Sequence, residues 1–296
     1  MKSYLSHYTA VTYWNIPYIE VVLGAEIRNR GTTDFTVTKR SSQFVKKNRA
    51  TYLCELTLPP GAVVSKNGIM IAAPELVFLQ LASRLDIHRL ILLGLQLCSH
   101  PPGKSSEAIT TKRKLIAFLA KTPGHRGYRK ALRAVKYIED GSASVMESVA
   151  FMILSLPNVL GGYGLSGAVF NHEIKLKDEA AKRLGQKRCF ADLYYKKVKV
   201  AVEYESFAHH SSPSEQGKDA VRSAILKRQS IEVLHLSTIQ LYDKEACKDF
   251  SYNLATRLGK RIQIRTKEFE PMNTLLRELL PTGKINTDSQ SEQNFN

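Results

Sequence analysis

Between Arg188 and Glu205 apolar residues return at every second position on both sides of a lysine pair, and no other stretch limits the possible folds so tightly. A period of two belongs to β-strands, so the stretch reads as two strands, Arg188 to Tyr195 and Val198 to Glu205, joined at Lys196-Lys197. Facing Tyr195 with Val198 sets Leu193 against Val200, Ala191 against Val202 and Cys189 against Tyr204, which makes one face wholly apolar. The other face then pairs Tyr194 with Lys199, Asp192 with Ala201, Phe190 with Glu203 and Arg188 with Glu205. A slip of one residue would mix the two sets and bury acids, so patterning selects between the faces.

Three carboxylates, Asp192, Glu203 and Glu205, therefore share one side of the sheet. In this register Asp192 and Glu203 are diagonal neighbours, with Cβ atoms roughly 7–8 Å apart, a gap that a hard divalent cation can bridge. Anions this close repel unless something cationic lies between them, and Mg²⁺ or Mn²⁺ is the usual solution in phosphodiester chemistry. The competing reading is a solvent-facing sheet surface on which Arg188 neutralises Glu205. His209, just past the second strand, places an imidazole at the strand's end, where titratable groups for phosphodiester chemistry would have to sit. Upstream, Glu147 has two readings, as a third metal-site acid or as the reaching partner of a capping box with Ser144 as N-cap.

Charge sharpens the functional question. The 296 residues carry 43 Lys+Arg against 27 Asp+Glu, a net +16. Much of the excess lies between Lys104 and Lys136, where Lys112, Arg113, Lys114, Arg126, Arg129, Lys130 and Arg133 stand among ten cations and one acid, Glu107. The segment reads either as a phosphate-binding surface or as a solvated helix face joining two domains. Cys54, Cys98, Cys189 and Cys247 are far apart with no C-x-x-C pair, which argues against a zinc ribbon or a disulfide framework. The apolar run Leu90–Cys98 falls well short of the ~20 residues of a membrane-spanning helix, so a cytoplasmic protein with no membrane partner is expected.

Four regions follow. Residues 1–103 read as an α+β domain, with strands around Phe35, Leu53 and Met70 and helices opened by Pro74 and centred on Leu92. Residues 104–137 are the basic connecting segment. Residues 138–265 run α-β-β-α-β-α, an α/β arrangement with a mixed sheet flanked by helices. Residues 266–296 read as a helix and a polar tail.

Asp192, then Val200-Ala-Val-Glu203-Tyr204-Glu205-Ser-Phe-Ala-His209, then Lys218-Asp219-Ala-Val-Arg222, resembles the very-short-patch-repair-like domains of the PD-(D/E)XK nuclease superfamily. Gly141-Ser-Ala-Ser144-Val-Met-Glu147 resembles the helix entry of the same domains. The resemblance implies a restriction-endonuclease-like fold, Asp192 and Glu203 as metal ligands, Glu147 as an auxiliary acid, and Glu205 in the slot where the superfamily often has lysine. It further implies that His209 orients or deprotonates a water and that Asp219 with Arg222 is a helix-borne pair near the same edge. Ser206 stands in place of the family's Gly, and no lysine fills the E-x-K position; Lys199 on the same face, or Lys218 beyond it, is the candidate substitute. The N-terminal region, through Ser6-His-Tyr-Thr-Ala-Val-Thr-Tyr-Trp14 and Ala73-Pro-Glu-Leu-Val-Phe-Leu-Gln-Leu-Ala82, is similar to abortive-infection AbiEi antitoxins.

The resulting expectation is a nucleic-acid-binding protein, with DNA as the leading ligand, carrying a Mg²⁺- or Mn²⁺-dependent endonuclease-like domain. Asp192, Glu203, Glu205, His209 and Glu147 form its catalytic set, and Arg222 joins the basic residues named above at the nucleic acid. The alternative is a catalytically inactive DNA-binding antitoxin or transcriptional regulator that holds a cognate toxin protein.

Overall fold

The computed structural model describes residues 3–24, 31–44, 46–176, 185–205 and 213–281, with side chains in the helix Pro213–Arg228 described from residue 221 onward. The chain divides into two compact units, Met1–Ser148 and Val149–Asn296, each built on a mixed sheet flanked by helices. The basic segment falls within the first unit.

The first unit holds strands β1 (Ser3–Leu5), β2 (Thr33–Val37), β3 (Arg49–Leu53), β4 (Val63–Lys66) and β5 (Ile69–Ala72), in the order β3-β2-β1-β5-β4. The three-residue β1 is central, pairing antiparallel with β2 and parallel with β5, and Tyr4 is buried at its middle. Three residues are too few to show a period, so this strand is silent in the sequence. The expected strands at Phe35 and Met70 are present, whereas the one expected over Tyr52–Leu56 ends at Leu53 and leaves Leu56 exposed.

Helix Pro74–Leu81 starts with Pro at its first turn, where a missing N–H costs nothing, and buries Leu76, Phe78, Leu79 and Leu81 as its apolar stripe requires. Helix Ile87–Leu97 is capped by Asp86, whose carboxylate accepts the Arg89 N–H at 2.9 Å, and it buries Leu90, Ile91, Leu92, Leu95 and Leu97. Buried Asp34 accepts from Thr9 N–H and from the Tyr52 hydroxyl, placing a carboxylate at the start of helix His7–Tyr13.

The second unit takes up helix Val145–Ser155 across the unit boundary, then strands β6 (Val169–Lys175), β7 (Arg188–Tyr195) and β8 (Val200–Glu205), helix Pro213–Arg228, strand β9 (Glu232–Ser237) and helices Thr238–Tyr242, Lys244–Arg257 and Phe269–Arg277. β6, β7 and β8 are antiparallel neighbours and β9 is parallel to β8. β6 is an addition to the expected order. Its polar Asn171, His172 and Glu173 and its edge position hide the alternation by which strands are recognised.

The hairpin register is a correction. Tyr195 faces Val200, not Val198, and Leu193 faces Val202. The turn is four residues, Lys196–Lys199, with Lys199 alone at positive φ (+55°) and Val198 N–H donated to the Tyr195 carbonyl. A two-residue loop would need primed turn angles with positive φ, which Gly and Asn accept and lysine resists; the longer turn confines that conformation to one residue. A shift of two keeps each residue on its face. The face expected to be polar is nevertheless covered near the turn, where Tyr194 and Ala201 pack in one cluster with Ile225 and Leu226 of helix Pro213–Arg228. Arg188 meets Glu173 of β6 at 3.2 Å rather than Glu205.

Candidate functional site

The β7–β8 ladder ends at Leu193 and Val202, and the fork beyond it is filled by side chains. Asp192 Oδ2 accepts the backbone N–H of Tyr204 at 2.9 Å, standing in for a main-chain carbonyl. From helix Pro213–Arg228, Arg222 Nη2 donates to the Phe190 carbonyl and to Glu203 Oε1, each at 2.9 Å. Arg222 thus stands close to both carboxylates, hydrogen-bonded to Glu203 and acting electrostatically on Asp192.

The electrostatics follow from this fork. Burial pushes the Asp192 carboxyl above its ordinary value, against the opposing pull of the Tyr204 N–H and of the Arg222 guanidinium. Glu203 is 16% exposed and its ion pair with Arg222 is correspondingly shielded from water. The neighbouring Cys189 thiol is also raised by burial.

The other predicted residues that are described have partners of their own. Glu205 lies at the exposed end of β8 and meets His235 Nδ1 of β9 at 2.7 Å, a partner that the sequence did not indicate. Glu147 belongs to the first unit. Its carboxylate accepts the Ala143 N–H at 3.0 Å while its own N–H goes to Ser144 Oγ at 3.1 Å, a capping-box arrangement in which the reach-back ends one residue before the N-cap. His209 lies outside the described residues, as do the side chains of Lys218 and Asp219.

Whether a divalent cation fits the fork depends on its donors. One Asp192 oxygen is engaged by Tyr204 and one Glu203 oxygen by Arg222, whose guanidinium already supplies the positive charge that the carboxylates require. No group of three or more His, Cys, Asp or Glu side chains among the described residues has the geometry of a metal site. At the fork a cation would meet two carboxylates, each already hydrogen-bonded, and would have to compete with the Arg222 guanidinium for Glu203.

The basic segment is resolved residue by residue. Lys112 pairs with Glu139 at 2.8 Å and Lys130 donates to the Leu85 carbonyl at 2.8 Å, so both are tied into the first unit. Arg113, Lys114, Arg126, Arg129 and Arg133 are exposed, as are Lys121 and Lys136. On helix Tyr128–Val135, Ala131, Ala134 and Val135 are buried, and Arg129, Arg133 and, one residue past its end, Lys136 lie on the outer side. All four cysteines are free thiols, and no helix among the described residues is long and apolar enough to cross a membrane.

No protein-family model, curated protein or solved structure matches this chain.

Proposed function

We propose that the chain binds nucleic acid through the basic face of its first unit, and that its second unit is an endonuclease-like domain of the very-short-patch-repair kind used for holding rather than cutting. The observation that carries the binding reading is the row of exposed cations between Arg113 and Lys136. Counterion release from phosphates is the largest affinity term such a surface can supply. The helix, antiparallel strands, helix and parallel strand of the second unit support the nuclease-like assignment. In this reading Arg222 is the internal counter-charge of Asp192 and Glu203, and a toxin protein is a further candidate partner of an AbiEi-like first unit.

A second reading, a Mg²⁺- or Mn²⁺-dependent endonuclease, is favoured by the convergence of Asp192 and Glu203 on one fork. In it these two carboxylates hold the ion, which would supply Lewis-acid polarisation of the phosphodiester, and Arg222 turns toward substrate. Supercoiled plasmid incubated with the purified chain and either ion separates the two. Retarded but intact plasmid supports the holding reading; metal-dependent nicking that disappears in Asp192→Ala and Glu203→Gln replaces it with the enzyme. Plasmid that is neither retarded at low salt nor nicked with either ion would overturn both.

A further inference from the structure

We infer that Arg129, Arg133 and Lys136 form a stripe that grips the phosphodiester backbone of a duplex without reading its bases, a step that rests on the nucleic-acid reading above. Spaced by four and three residues, the three side chains lie on one side of the helix. At ~1.5 Å rise per residue the stripe spans about 10 Å. Along a duplex that length covers about three phosphates of one strand, at ~3.4 Å each.

Two of the acids nearest the stripe in sequence are paired with other cations, Glu107 with Lys104 at 3.3 Å and Glu139 with Lys112 at 2.8 Å. Asp140 accepts the Lys112 backbone N–H at 2.7 Å and keeps its charge, so three cations of the stripe face one acid close in sequence. The helix is also held in place at its start. Gly127, at φ +88°, lies so close to the end of helix Pro74–Leu81 that a Cβ there would sit 2.8 Å from Ser83 N and 2.9 Å from the Leu79 carbonyl oxygen. A rigid row of charges with no flexible tether is suited to a regular polyanion.

What surrounds the stripe decides between partners. From Arg113 to Lys136 the exposed positions other than cations are Ile116, Ala117, Ala120, Pro123 and Gly124. Within that segment no aromatic side chain is fully exposed, Phe118 and Tyr128 being half-buried, and there is no Asn or Gln to read a base edge. A membrane surface is disfavoured because the helix buries Ala131, Ala134 and Val135 and half-buries Leu132, and Ile116 is the one exposed large apolar side chain between Arg113 and Lys136.

The test is fluorescence anisotropy of the full chain with labelled duplexes of two unrelated sequences across a salt series, with duplex RNA, oligo-dT and vesicles of phosphatidylserine and phosphatidylcholine as further arms. The wild type should bind both DNA duplexes equally. Arg129→Ala/Arg133→Ala/Lys136→Ala should flatten the slope of log K against log salt by about 2.7, and Arg133→Ala alone by about 0.9. Arg129→Lys/Arg133→Lys should leave the slope unchanged, because charge and not guanidinium geometry is used. Equal binding of duplex RNA generalises the ligand to any duplex backbone, and its exclusion narrows it to DNA. An unchanged slope in the Ala variants, with wild-type binding intact, refutes the stripe while leaving nucleic-acid binding standing. Sequence preference that the Lys variant loses, or tighter binding to oligo-dT, refutes backbone-only duplex recognition. Binding to vesicles with none to any nucleic acid overturns this inference and the reading beneath it.

Discussion

Replacing Asp192 by Ala tests whether this side chain closes the β7–β8 fork. The substitution removes the acceptor of the Tyr204 N–H, now 2.9 Å away, and leaves a strand amide with no carbonyl opposite it. An amide stripped of its acceptor inside a fold costs about 1–3 kcal/mol. Against that stands the penalty that wild-type Asp192 already carries. Folding raises its pKa, so its contribution to stability is complete below the ordinary carboxylate range and is lost as pH rises through the folded value. At neutral pH the ionised carboxylate offsets part of what its hydrogen bond contributes, and a net loss of about 2 kcal/mol is expected for Ala. Asn retains an oxygen acceptor and carries no charge, so Asp192→Asn should lose much less, and its difference from wild type should shrink as pH is raised from the acid range toward neutrality. The assay is residue-resolved amide hydrogen exchange. At 1.4 kcal/mol per tenfold, Tyr204 should exchange about 30-fold faster in the Ala variant, with the Asn variant near wild type. Equal Tyr204 exchange in wild type and Ala, or equal loss in Asn and Ala, would refute the assignment of Asp192 as a surrogate backbone acceptor.

Arg222→Met, which keeps bulk but removes the guanidinium from Glu203 and the Phe190 carbonyl, should destabilise the second unit by about 2 kcal/mol in denaturant unfolding followed at β7 and β8 amides. Gly161→Ala should lower the calorimetric melting temperature by roughly 10 °C, because its Cβ would lie 2.3 Å from Asn273 N at φ +76°. Gly164→Ala, at φ +75° with open space around it, should cost only the conformational part, about 1 kcal/mol. Burial, assisted by Lys196, lowers the His172 pKa, so unfolded chains bind its proton first; stability should fall as pH drops below the ordinary imidazole value, and His172→Gln should remove that slope in pH-dependent melts. Glu147→Ala should cost about 1 kcal/mol of helix stability through loss of its cap to Ala143.

Much of the core was legible in the chain. Pro74 with Leu76, Phe78 and Leu79, and the run from Leu90 to Leu97, declare buried helices because apolar spacing near 3.6 has no other economical use. Ser144 and Glu147, three apart, announce a helix start, and the capping geometry is there. The basic surface is equally readable, yet which cations are free is not: Lys112 and Lys130 look no different in sequence from Arg113 and Arg129. Their partners, Glu139 and the Leu85 carbonyl, come from elsewhere in the unit. Strands β1 and β6 escaped because one is too short and the other too polar to show a period.

Alternation by twos put Asp192 and Glu203 on one side of β7 and β8 from the sequence alone, and both reach Arg222, although Cys189 and Ala191 of the opposite set pack in the same cluster as Tyr194 and Ala201. It could not decide their register, because a shift of two residues leaves every face unchanged; the angles available to a lysine turn settled that. Nor could it bring Arg222 to the fork. That position depends on how helix Pro213–Arg228 packs through Ile225 and Leu226, a long-range contact whose energy comes from buried area, for which linear order carries no signal.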